Sequence, residues 1–221
     1  MPKIVDSEQQ RREISAQGAR WIATRGLETL SLRNVAKLHG CSKGMVQHYF
    51  ADKEELLFGA LLHVTAAYEE REKVAVVGYT GLEKIERRFL VILPVSESLR
   101  DEWVVRLAFY ARAALAPKMQ AYLHEHVSRA LRIGTRELRD AQLTGEVARG
   151  VNLARSYRVI MATVAGIAVS EVVSPGVIAP AVQKRMLRDA ISVVRSSPSD
   201  QVGARQGGRS PSVRRSLGSD K

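Results

Sequence analysis

With 221 residues, the chain is long enough for one small module beside a larger domain with its own core. Aromatic residues make up only 5%, which argues against a sheet-rich fold held by aromatic pairs. The single cysteine excludes an intramolecular disulfide and suits a reducing cytoplasm. A formal net charge of +11 points to a polyanionic partner.

In chain order, residues 1–6 read as a loose arm and a first helix is expected from about Ser7 to Arg25. Ile14, Ala16, Ala19, Trp21, Ile22 and Ala23 form its packing side, and Gly26 ends it. Trp21 reads as part of the core rather than as a ligand-stacking aromatic. From Ser31 to Lys53 the spacing predicts two short helices and a tight turn. Ser31 and Ser42 stand as N-caps, Leu32, Val35, Ala36 and Leu38 as one apolar side, and Gly40 as a left-handed terminator. Met45, Val46 and Tyr49 follow at helical spacing. Helices this short need neighbours to hold them, because nucleation costs more than so few hydrogen bonds return. Their outward residues include Arg33, Ser42, Lys43, Gln47, His48 and Lys53, and no acid lies between Glu28 and Asp52. That pattern predicts a helix-turn-helix whose second helix enters a DNA major groove.

The same residues resemble the TetR family of bacterial transcriptional regulators. Ser31, Arg33, Val35, Ala36, Gly40, Cys41, Ser42, Gly44, Tyr49, Phe50, Lys53 and Leu56 stand in that family's register. Gln47 departs from a position where the family most often has Tyr, and Cys41 from one where Val is usual. Cys41 reads as a small packing residue, with a redox switch in the turn as the rival reading. The opening Met-Pro-Lys and His48-Tyr49-Phe50 loosely resemble the choline-responsive, BetI-like branch.

The resemblance implies an all-α protein of about nine helices, in which a three-helix DNA-binding domain (1–51) precedes a helical ligand-binding and dimerisation domain (52–195). It also implies a cytoplasmic dimeric regulator that binds a pseudo-palindromic operator as a repressor and is released by a small-molecule effector. Arg33 and Lys53 are expected on phosphate, with Tyr49 positioning the backbone. Ser42, Lys43, Gly44, Gln47 and His48 are expected against the groove, Gln47 reading adenine through its amide. Lys53 opposes the dipole at the start of the fourth helix, a conflict that a phosphate there would resolve.

The fourth helix should run from Asp52, with Glu55 closing a capping box, to about Val76. Thr80-Gly-Leu-Glu83 reads as a second capping-box start, Pro94 as a stop, and Ser98 to Leu115 as the sixth helix. Pro117 opens the seventh, which reaches Leu143. The eighth runs from near Asn152 to Ser174, and Pro180 opens the ninth, which reaches Val194. After Ser196 the composition collapses to Ser, Gly, Arg, Gln and Pro. That predicts a disordered basic tail (196–221), with accessory contact to DNA phosphates as the alternative.

The eighth helix sets Ala162, Ala165, Gly166, Ala168 and Ser170 beside Ile160, Met161, Val164, Ile167 and Val169. So little polar face asks for cover on several sides. A homodimer through the eighth and ninth helices is the preferred reading, with intramolecular packing as the other. Its most apolar stretch, Val159 to Val173, reads as too short for a bilayer, and Met1 to Gln10 is too polar for a signal peptide, so no membrane association is expected. Phe89, Trp103, Arg106, Tyr110, Tyr122 and Tyr157 are read either as core or as a partly aromatic effector pocket, with Glu102 as an acid suited to a quaternary ammonium. His124 and His126, two apart on a helix, point to different sides and do not form a zinc pair. With no nucleophile, phosphate loop or Cys/His cluster, neither an enzyme nor a metal or cofactor is expected.

Overall fold

The computed structural model describes the backbone of residues 2–195 and the side chains of residues 7–195. The expected tail at 196–221 lies outside the described residues. Nine helices are present among them: α1 (Pro2–Arg25), α2 (Leu32–His39), α3 (Lys43–Tyr49), α4 (Lys53–Ala75), α5 (Gly81–Leu90), α6 (Glu97–Ala113), α7 (Pro117–Leu143), α8 (Leu153–Val173) and α9 (Pro180–Ser192). The all-α expectation is met; the one β feature among the described residues is an isolated bridge between Val147 and Arg195. The first helix starts at Pro2 rather than Ser7, so residues 2–6 are helix and not a loose arm.

Five of the nine described helices start at a side-chain cap, among them the expected Ser31, Ser42 and Asp52. Ser31, Ser42, Asp52, Ser96 and Asn152 each accept a hydrogen bond from an amide in the first turn. Thr80 does not. The Leu82 amide instead donates to the Glu146 carboxylate at 3.0 Å, a cap delivered from 64 residues away. That carboxylate occupies the space beside Gly81, where a Cβ would lie 2.0 Å from Glu146 Oε1.

Two hydrophobic clusters organise the helices. The first gathers Ile14, Ile22, Leu30, Val35, Val46 and Phe50 with Leu56, Leu57, Ala60 and Val64 of α4. It continues into Val105 and Phe109 of α6, so the N-terminal helices and the rest of the chain share apolar packing. The second gathers Leu82, Ile85, Phe89, Trp103 and Leu138 with Tyr157, Ile160, Val164, Ile167 and Leu187. Helix α4 belongs to the first cluster at its N-terminal half and reaches about 35 Å in all, at 1.5 Å for each of its 23 residues.

Helix α8 corrects the length argument: at 21 residues it is long and apolar enough, by length and composition, to cross a bilayer. Here it is a core helix on one side. Glu171 is buried near its C-terminus and accepts from the amides of Gly176 and Ile178 at 3.0 and 2.7 Å, closing the turn into α9. The opposite side leaves Val159, Val169 and Val173 exposed, and α9 adds Val182 and Met186.

Candidate functional site

The turn between α2 and α3 is fixed by Gly40 in the left-handed region (φ 79°) and by the Cys41 amide donating to the Ala36 carbonyl at 3.0 Å. Val46 is the one buried residue of α3. Arg33, Ser42, Lys43, Gly44, Gln47 and His48 are exposed together, with Tyr49 and Lys53 half-buried at the edge. Leu38 and Met45, read from spacing as packing residues, face outward instead: α2 buries Leu32, Val35 and Ala36, and α3 packs through Val46 and the half-buried Tyr49. A Cβ on Gly44 would meet only Ser42 Oγ, at 3.8 Å. The fold does not need glycine there, whereas a close external approach to the backbone would use it.

Lys53 Nζ donates to the Glu28 carbonyl at 3.2 Å, so the ammonium ties the start of α4 to the α1–α2 connection. Arg11 donates to the Tyr49 carbonyl at 2.7 Å and lies 4.7 Å from the Phe50 ring centroid. It thereby fixes the C-terminal end of α3 to α1. Phe50 in turn fits because Gly59 lacks a side chain; a Cβ there would come within 2.7 Å of its ring.

Further along α4, a cavity of about 220 Å³ opens among α4, α5, α6, α7 and α8. Phe89, Trp103, Arg106, Tyr110 and Tyr157 line it, as do Tyr68, Glu72, Arg88 and His126. The Tyr157 ring occupies the place a side chain at Gly134 would take, 1.9 Å from a Cβ built there. Arg88 donates to Glu72 at 2.5 Å and to both oxygens of Glu137. Burial works against its charge, but the bonds to Glu137 and Glu72 outweigh that and raise its pKa above the ordinary arginine value. Burial, and then the Glu72 carboxylate, push the Tyr68 hydroxyl well above the usual range. Burial, assisted by Arg129, lowers the His126 pKa below 6.5 against the opposing pull of Glu69.

Two expectations need correction. Tyr122 is outside this cavity: its ring stands edge-on to Phe58 at 4.8 Å, against the first cluster, and lines a neighbouring depression. Glu102 is not free for a cationic ligand, since both of its oxygens are held by Arg71 at 2.7 Å and Arg106 adds a bond at 3.2 Å. The guanidinium pair neutralises the acid that the aromatic box called for.

Comparison with known proteins agrees with this arrangement. Residues 14–60 match the bacterial regulatory proteins of the tetR family, and residues 82–195, more than half of the chain, match the C-terminal region of BetI-type transcriptional repressors. The chain belongs to the TetR family. It is similar to the HTH-type transcriptional regulator PksA of Bacillus subtilis (strain 168), 35% identical over 60% of this chain and 65% of that one. It is also similar to the regulator HbdR of Aromatoleum sp. (strain CIB), 26% identical over 68% of this chain and 64% of that one. The matched region thus spans just under two thirds of each of these relatives. A proposed transcriptional regulator from Saccharomonospora viridis, solved in complex with choline, shares the fold with a TM-score of 0.77 at 23% identity, covering 86% of this chain and all of that one. A Rhodococcus sp. Rha1 regulator aligns with a TM-score of 0.71 at 26% identity, over 83% of this chain and 95% of that one.

TetR-family members are DNA-binding regulators of transcription that act as dimers and bind small-molecule effectors. The residues that the sequence did not reveal are those that support others. Arg11 lies 38 residues from the carbonyl it holds, and no local pattern announces it. Tyr68, Glu72, Arg88 and His126 belong to helices whose spacing shows a buried side but not which neighbour it meets.

Proposed function

We propose that this chain is a dimeric cytoplasmic repressor that binds a pseudo-palindromic operator and releases it when a small molecule enters the α4–α8 cavity. Residues 1–51 form the reading head and residues 52–195 the effector and dimerisation module. Arg33 and Lys53 meet phosphate, while Ser42, Lys43, Gly44, Gln47 and His48 face the groove. Tyr49 positions the backbone. The exposed apolar residues of α8 and α9 pair with their two-fold mates, spacing two reading helices for successive major grooves.

The observation that carries the release mechanism is that α4 belongs to both sites. Its first residue, Lys53, bonds back to Glu28 beside the reading head. In its middle, the Val64 carbonyl accepts from the cavity residue Arg106 at 3.0 Å. A ligand that moves Arg106 therefore acts on the helix that carries the head, and a coupling of ~1–3 kcal/mol gives a useful response.

The cavity chemistry favours an amphipathic effector with an acceptor group. Its walls are aromatic, but its acids already face guanidiniums: Glu72 meets Arg88, and Glu69 meets Arg129 at 3.5 Å. The Saccharomonospora viridis protein's choline supports a second reading, in which Trp103, Tyr110 and Tyr157 surround a quaternary ammonium. Fluorescence anisotropy on the duplex upstream of the protein's own reading frame tests both, with choline and benzoate added as probes. Release by benzoate alone favours the first reading, and release by choline alone the second. Operator binding that neither molecule alters, in a protein whose cavity binds neither by calorimetry, counts against both.

A further inference from the structure

On the other flank of α7, a second concavity of about 480 Å³ lies between α7 and α8 and shares no lining residue with the effector cavity. Arg132, Arg136 and Arg139 stand on α7 at i, i+4 and i+7, so their side chains share one face. Arg158 reaches the same groove from α8. All four are exposed, and among the described residues none has a carboxylate within 4.0 Å. Elsewhere Arg71, Arg88, Arg106, Arg112, Arg129 and Arg188 each meet a glutamate. Four guanidiniums gathered without an acid repel one another and concentrate counter-anions.

The rest of the lining suits an anion with several acceptors. The hydroxyl residues Ser128 and Thr135 are half-buried within it, Leu131 and Ala154 supply an apolar surface, and no acid lines it. The volume falls within the range of about 300–1,000 Å³ usual for small-molecule sites. Guanidinium forks match phosphate oxygens two at a time, which a single carboxylate could not satisfy at four arginines. The exposed valines of the α8 seam, Val159, Val169 and Val173, are not part of the groove.

We propose that this groove binds an oligophosphate group, supplied either by an inorganic oligophosphate or by a nucleoside triphosphate. The site is separate from both the reading head and the effector cavity, and stands whether or not the release mechanism above does.

Isothermal calorimetry on the full chain, with tripolyphosphate and with ATP, tests this in about 0.15 M salt, where exposed charges are screened beyond about 8 Å. Saturable binding of one molecule per protomer is expected, weakened about tenfold or more in Arg136→Glu/Arg158→Glu. Tighter binding of ATP assigns the site to nucleotides through Leu131 and Ala154, and equal binding assigns it to the free oligophosphate; either supports the proposal. If charge reversal unfolds the protein, Arg136→Gln/Arg158→Gln carries the same comparison. No saturable binding of either probe would overturn the proposal. So would binding unchanged in the variants, which would place the polyanion elsewhere on the chain. Loss of non-operator duplex binding in the variants, without loss of oligophosphate binding, would reassign the groove to nucleic acid.

Discussion

Arg106 of α6 donates to the backbone carbonyl of Val64, 42 residues earlier in α4, at 3.0 Å, with its side chain almost fully buried. The same guanidinium bonds Glu102, which Arg71 of α4 holds from the other side. The trio fastens α6 to α4 at two points, one of them mid-helix. Arg106→Gln removes the charge and shortens the reach. It is expected to cost about 1–3 kcal/mol of stability, the penalty for leaving buried partners incompletely bonded. Urea denaturation reads that loss. Operator affinity without effector should change less than the effector's power to release it, because the bonds Arg106 makes, to Glu102 and to the Val64 carbonyl, lie at the cavity and touch no residue of α1, α2 or α3.

The close approach of Gly134 and Tyr157 makes a second prediction. Gly134→Ala puts a methyl group into the ring of a side chain that is only 2% exposed. A loss of about 1–3 kcal/mol is expected from overpacking. Combining it with Tyr157→Leu should recover part of that loss, and a double-mutant cycle by thermal unfolding measures the recovery. Purely additive effects would mean that the two residues do not compete for the same space.

At the reading head, Gln47 and Lys53 should fail in different ways. Gln47→Ala is expected to relax preference at one operator position at a cost of about 1–3 kcal/mol for the favoured base. Lys53→Ala should weaken all sequences alike and lower the salt slope by about one. It also loses the bond to the Glu28 carbonyl, so a small drop in melting temperature is expected. Binding to a set of operators with single substitutions, repeated over a salt series, separates the two. Identical behaviour would overturn the assigned roles.

The cavity histidine predicts a pH effect. Burial, with Arg129 alongside, holds the His126 pKa below 6.5 in the folded protein; Glu69 opposes this, and Arg106 adds to it. As pH falls through 6.5, the unfolded chain takes up this proton before the folded one does, and stability declines until the folded pKa is passed. Above 6.5 the residue contributes no slope. Melting temperature against pH should therefore fall less steeply on the acid side for His126→Gln than for the wild type.

Much of this was legible in the sequence, because local chemistry decides it. Ser31, Ser42 and Asp52 cap where their positions predict, Gly40 takes the left-handed turn, the eighth helix starts beside Asn152, and Pro117 and Pro180 open their helices. Spacing alone could not place long-range partners. Thr80 looked like a cap, yet Glu146 provides the bond, because which acid reaches an amide is settled by the packing of α5 on α7. Tyr122 has the composition of a pocket residue, but the turn of α7 sends its ring to Phe58. Glu102 had the right charge for a cation, and only the fold shows that Arg71 and Arg106 are already there.

Two copies of this chain are expected to read one DNA site. Sedimentation equilibrium of the full protein with the duplex upstream of its reading frame, at several salt concentrations, tests it most directly. The account predicts a saturable complex with two protomers, or a multiple of two, per site, which survives salt that strips the protein from scrambled duplex. Single-protomer complexes, or binding that vanishes equally on both duplexes as salt rises, would contradict it, since charge alone would then explain the affinity.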